Sequence, residues 1–134
     1  MARTAPDQQG SSLVEFALIS PIFLLLLFGI LEFGLVMYSK GIITQAGREG
    51  TRFGVVYSTP PKSAAQIQTQ VQDYLTGAGF TGPVTITVTG AGGGNGAPLS
   101  VKVAYTYQYL VLPRFATRLG GNLDLSTETV MLME

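Results

Sequence analysis

The stretch from Phe16 to Tyr38 constrains this chain more than any other: its 23 residues hold one charged side chain, Glu32. An α-helix rises about 1.5 Å per residue, so roughly 20 apolar residues cross the hydrocarbon of a bilayer. The run is long enough to span, with its transmembrane part at about 16–38. Pro21 falls within the first turns and should bend the helix, because proline lacks a backbone donor and crowds the preceding turn. At the head of the run stands a carboxylate, Glu15, directly behind Gly10, Ser11 and Ser12. An acid at that place needs a reason.

The rest of the composition narrows the function classes. The 134 residues suggest one small domain with an appendage. Eight basic and eight acidic residues balance to zero, which gives no pull toward nucleic acid. Charged residues make up 12% of the chain, about half the usual share for a soluble domain. There is no cysteine and no histidine. Disulfides, thiolate nucleophiles and the common transition-metal sites are therefore excluded. We expect no catalytic residues, no cofactor, no metal and no small-molecule substrate.

Along the chain the pattern changes three times. Met1 to Gly10 is short and polar and is expected to be disordered. A single long helix is expected over about 11–57. Beyond Ser39 it turns amphipathic: Ile42, Ile43, Ala46, Phe53 and Val56 alternate with Lys40, Gln45, Arg48, Glu49 and Arg52. Gly41, Gly47, Gly50 and Gly54 lower its helix propensity but admit a closely packed neighbour. STPPKS, from Ser58 to Ser63, ends it. A second helix should run from Ser63 to about Thr76, with Ala64, Ile67, Val71 and Tyr74 or Leu75 on one face. Then the period becomes two. PVTITVTG and SVKVAYTYQYLVL are strands joined by the glycine-rich AGGGNGAP, and Leu123 to Met133 is a third. Pro113 to Asn122 forms the connection, with room for one helical turn. The expected fold is α+β: a long N-terminal helix leading into a head, over 58–134, of a second helix and a three-stranded antiparallel sheet.

Three readings compete for the first 40 residues. A secretory signal peptide needs a shorter apolar core and a small-x-small site after it, and neither is present. An uncleaved signal anchor explains the length but leaves Glu15 without a purpose. A prepilin-type segment is cut before the apolar run. A cut between Gly10 and Ser11 would free an amine on Ser11 and make Glu15 the fifth mature residue. A lone carboxylate close to lipid must find a partner or lose its charge. In a helical filament the neighbouring subunit's Ser11 amine can be that partner, and wrong registers are then penalised. The plainer alternative is that Ser12-x-x-Glu15 is a capping box, with the acid favoured by the helix dipole.

The segment GSSLVEFALISPIFLLLLFGILEFGLVMYSKGIITQAGREGTRFG resembles the TadE-like family, the minor pilins or pseudopilins of the tight-adherence (Flp-type) pilus. The matching features are Gly10-Ser11, the Val14–Leu18 region, Pro21, the leucine run, Gly29–Gly34 and Ala46–Arg52. One departure is Phe16, where the short major pilins usually carry tyrosine. The resemblance implies cleavage after Gly10 by a prepilin peptidase, with residues 1–10 as a cytoplasmic leader. It makes Gly10 and Ser11 the cleavage site, and Glu15 and Phe16 the processing and assembly residues. It further implies an inner-membrane protein with its head outside, in contact with other pilin subunits and the assembly platform, and possible entry into an extracellular pilus serving adhesion or secretion. The alternative is an uncleaved single-pass accessory subunit of a membrane secretion or assembly complex. Lys40, Arg48 and Arg52 follow the span while only Arg3 and the α-amine precede it. The positive-inside rule alone would favour the opposite orientation. The N-in assignment rests on the resemblance.

Candidate subunit contacts are Pro21, Glu32, Arg48, Glu49 and Arg52. About 20 residues beyond Ser11, Glu32 should sit at the far interface, as a solvated acid or as a contact with another subunit. Glu49 and Arg52, three apart, can pair on the helix surface. Tyr105, Tyr107 and Tyr109 form a stripe on one strand face, either a packing face or an exposed adhesive one.

Overall fold

The computed structural model describes residues 8–111 and 121–134. Helix α1, Gln8–Val55, is 48 residues long and runs without interruption through Pro21. It begins earlier than expected, so Gln8 to Gly10 are helical rather than disordered. It ends two residues earlier, at Val55. Its last carbonyls find partners nearby: the Lys62 ammonium donates to Phe53 O at 2.8 Å, and the Glu134 amide donates to Val55 O at 3.2 Å. These contacts satisfy acceptors that a helix C-terminus leaves open.

Helix α2, Ala64–Gly77, starts from a true capping box. The Ser63 hydroxyl accepts from the Gln66 amide, and the Gln66 side chain accepts from the Ser63 amide. Ile67, Val71 and Leu75 are its buried face. Of the expected pair Tyr74 or Leu75, it is Leu75 that turns inward.

Three strands follow: β1, Val84–Thr89; β2, Pro98–Tyr107; and β3, Leu123–Leu132. They form an antiparallel sheet in the order β1-β2-β3. In register, Val84 faces Tyr105 across β1 and β2, and Tyr107 faces Leu123 across β2 and β3. AGGGNGAP is the hairpin loop between β1 and β2, and its Gly96 and Ala97 exchange backbone bonds with Met133. Most of the expected connection over 113–122 lies outside the described residues. β2 is offset from expectation. It starts at Pro98 and stops at Tyr107, so Tyr109 is not on the strand. The chain leaves the ladder there because the next amides are drawn to a different acceptor, described below.

The two helices and the sheet enclose one core: Ile43 and Ala46 of α1, Ile67, Val71 and Leu75 of α2, and Leu99, Val101, Val103, Tyr107 and Leu125 of the sheet. Of the apolar residues expected on the outer half of α1, Ile43 and Ala46 are buried and Ile42 and Phe53 partly so, while Val56 is exposed beyond the helix end. Gly50 and Gly54 let the layers approach. A Cβ at Gly50 would run into Val71, and one at Gly54 would meet Leu99 and lie 2.7 Å from Ile67 Cδ1. Gly41 has open space around it and plays no such part.

The buried positions of α1 are Glu32, Val36, Ser39, Ile43, Ala46, Gly47, Gly50, Thr51 and Gly54. Steps of three and four place them on one stripe. No described residue of α1 before Glu32 is buried. The helix is thus a bare rod up to Leu31 and a packed stem from Glu32 onward.

Candidate functional site

The rod carries the residues that the sequence singles out for processing. Gly10, Ser11 and Glu15 are all exposed, as are Pro21 and Phe16, the latter 73% so. The helix continues on both sides of the Gly10–Ser11 bond. Ser12 is therefore inside the helix of the uncut chain, and the Ser12-x-x-Glu15 pattern is not at its start. The capping box of this chain is at Ser63. The Gly10–Ser11 bond does lie in the first turn, where helices fray most readily. Ser11 and Glu15 are four apart and fall on the same face of the rod.

Glu32 behaves differently from Glu15. It is 2% exposed. Three donors from the end of β2 and the residues after it converge on its carboxyl group. The Tyr107 hydroxyl donates to Oε1 at 2.6 Å, the Leu110 amide to Oε1 at 3.0 Å and the Val111 amide to Oε2 at 2.7 Å. An acid this enclosed is very costly without partners. Here the same chain supplies them. Glu32 is therefore not solvated: it ties the stem to the head. Sequence reasoning placed it at an interface but missed these partners. One signal was readable, since Glu32 lies on the stripe continued by Val36, Ser39 and Ile43.

Tyr107 is the other half of this junction. Its ring is 4% exposed and sits in an edge-on series of Phe80, Tyr105, Tyr107 and Tyr109. The centroid separations, 4.5, 6.3 and 5.8 Å, suit favourable aromatic contacts. The tyrosine stripe is thus mainly internal packing, with Tyr109 joining from outside the strand. Burial pushes the Tyr107 hydroxyl pKa well above its ordinary value, and the hydrogen bond to Glu32 and the charge of that group push it further.

Arg48 and Arg52 are exposed and Glu49 is half-buried on the stem. They lie about 24 Å or more along the helix from Glu32, at about 1.5 Å per residue. The described residues do not bring them to either acid. Lys40, also on the stem, reaches across to the backbone oxygen of Ser126 in β3.

Residues 10–52 match the family model of TadE-like proteins. The match covers 43 of the 134 residues, all within α1. No curated protein and no solved structure matches the chain. The TadE-like segment begins at Gly10, takes in the bare rod from there and most of the stem, and ends before the head. The head beyond it has a pilin-like arrangement, with one helix and a three-stranded antiparallel sheet packed on the stem. The segment lies within the one described helix long and apolar enough to cross a membrane, and that helix's most apolar part is wholly unburied. Among the described residues no group of His, Cys, Asp and Glu could hold a metal ion.

Proposed function

We propose that the chain is a TadE-like minor pilin or pseudopilin, cut by a prepilin peptidase after Gly10. In this reading it is held in the bacterial inner membrane by residues 11–31 rather than 16–38, because the head already packs on the helix from Glu32 onward. Its N-terminus lies in the cytoplasm and its head outside. It enters a tight-adherence pilus, or the base or tip of one, through packing of its rod. The observation that carries the reading is that the TadE-like match begins at Gly10 and takes in a long apolar rod that its own head leaves bare. Such a surface is stable only in lipid or among other helices.

Glu15 gives the rod its assembly logic. It has no described partner within the chain, so burial among neighbouring helices requires one from outside. The Ser11 amine of an adjacent cut copy has the right charge and the right position near the rod's end. Pro21 lies on the same rod, while Arg48, Glu49 and Arg52 remain candidate contacts on the stem.

The alternative is the uncleaved accessory subunit, in which the helix stays continuous across the Gly10–Ser11 bond. N-terminal sequencing and intact mass of the protein from native membranes decide between them. The pilin reading expects loss of Met1 to Gly10. A chain that keeps Met1 is the accessory subunit. A Glu15→Ala variant should still insert but fail to assemble, and normal filament growth by that variant would overturn the assembly role.

A further inference from the structure

The Glu32 junction fixes more than the angle between stem and head. Because the Leu110 and Val111 amides bond directly to Glu32, the short segment Gln108–Val111 is held level with residue 32 of the helix. From Ser11 to Leu31 the rod rises about 31 Å, close to the thickness of a bilayer's hydrocarbon. The segment is therefore level with the end of the rod. Its Leu110 side chain is 80% exposed. A lone exposed leucine usually means nothing. This one is anchored by its own backbone at the level of Ile30, Leu31 and Phe33, which are exposed apolar residues of the rod and the first turn beyond it.

We propose that Gln108–Val111 is a lipid-docking element, with Leu110 entering the interfacial region of the bilayer so that the head rests on the membrane surface. The inference depends on the reading of residues 11–31 as the membrane span. Continuity argues for lipid as the occupant: the apolar surface of the rod passes to Leu110 without a break in level. The aromatic residues nearby suit the same depth. Phe33 and Tyr38 are exposed on the first turns of the stem, and Tyr109 is half-buried beside Tyr107. Rings of this kind favour the boundary between lipid and water. The opposite end of the sheet offers a matched comparison. Leu132 is 65% exposed and pairs in register with Pro98, at the other end of β2 from Tyr107. At about 3.3 Å per residue that end lies roughly 30 Å farther from the bilayer.

The chain contains no tryptophan, so a single introduced indole reports on one place. Full-length Leu110→Trp, Leu132→Trp and Leu24→Trp variants would be reconstituted at high lipid excess into phosphatidylethanolamine–phosphatidylglycerol vesicles. The vesicles would carry nitroxide lipids labelled either near the headgroup or near the acyl-chain ends. Leu110→Trp should emit to the blue of Leu132→Trp and lose most of its emission to the shallow label. Leu132→Trp should respond to neither label, and Leu24→Trp to the deep one. If Leu24→Trp is quenched while Leu110→Trp is not, the head stands clear of the lipid and the proposal is overturned, although the span survives. If Leu24→Trp also escapes quenching, the span itself fails and takes the proposal with it. A blue shift at Leu110→Trp that disappears on further dilution with lipid would assign the surface to a second copy, which also overturns the proposal.

Discussion

The two halves of α1 are built from one continuous helix, yet they solve opposite problems. The rod, up to Leu31, is apolar on every side and buries nothing against its own chain. The stem, from Glu32, has one narrow buried stripe and polar groups elsewhere. Each half carries an acid near its start. Glu15 is exposed and Glu32 is enclosed by three donors of the head. The same side chain is thus left exposed in one place and consumed by folding in the other. The difference lies in what the later sequence supplies. Residues packed around the stem include the ends of β2, whereas no described residue of the rod is buried.

The contrast is broken most directly by removing each acid in turn. Glu32→Ala leaves a buried tyrosine hydroxyl and two amides without their acceptor. Losing charge-assisted bonds and stranding their donors should cost about 3 kcal/mol or more. Thermal unfolding of the full chain in detergent, followed by near-ultraviolet circular dichroism of the head tyrosines, should show a large fall in midpoint. Glu15→Ala should leave that midpoint where it is. If both variants unfold like the parent, the two acids are equivalent and the division into rod and stem loses its meaning.

Glycine gives the next largest separation. At Gly54 an added methyl meets Leu99 and Ile67, so Gly54→Ala should cost about 1–3 kcal/mol from overpacking. Alanine's better helix propensity returns up to about 1 kcal/mol of that. The net effect should remain a loss of head stability. At Gly29 nothing lies within 4 Å of the added methyl. Gly29→Ala should leave the head's unfolding unchanged, and any consequence should surface only in assembly. A drop in head stability with Gly29→Ala would show that the rod is not mechanically separate.

Much of this division was legible in the sequence, for definite reasons. The rod is read from length and apolarity alone, and α2 from Ser63, its helical spacing and the glycines that follow. The strands follow from alternation, because β1 and β3 keep a strict period of two. What the sequence did not reveal is governed by distant contacts. Glu32 and its three donors are separated by 75 to 79 residues. No local pattern at either place announces the other. For the same reason the alternation of Tyr105, Tyr107 and Tyr109 predicts a strand that runs on to Leu112. The ladder ends at Tyr107 because the following amides serve Glu32 instead of a strand. In the other direction, Ser12-x-x-Glu15 has the spacing of a cap, but the helix had already begun at Gln8.

Alkaline pH sharpens the same comparison. In the folded chain the Tyr107 hydroxyl pKa lies above its unfolded value of about 10. The folded state therefore holds the Tyr107 proton more tightly than the unfolded state does. That contribution is complete below about pH 10 and is lost as pH rises from there through the raised folded value. Tyr107→Phe should lower the midpoint at neutral pH by the equivalent of about 1–2 kcal/mol, because one donor to Glu32 is gone. It should also show a shallower decline above about pH 10. An unchanged alkaline slope would separate Tyr107 from the junction.

The smallest expected effect tests the one capping box found, against the pattern that only resembles one. Ser63→Ala removes the acceptor for the Gln66 amide and half of a reciprocal pair. Such losses cost about 1 kcal/mol, and the Ser63 backbone amide can still use the Gln66 side chain. The midpoint of head unfolding should therefore fall modestly, and Ser63→Asp, which restores an acceptor, should recover most of it. α2 contributes Ile67, Val71 and Leu75 to the core over Gly50 and Gly54. Fraying of its first turn thus loosens the layer that presses on the stem, not the rod. If Ser63→Ala proves as damaging as Glu32→Ala, the head is held to the helix mainly through α2, and the carboxyl junction is secondary.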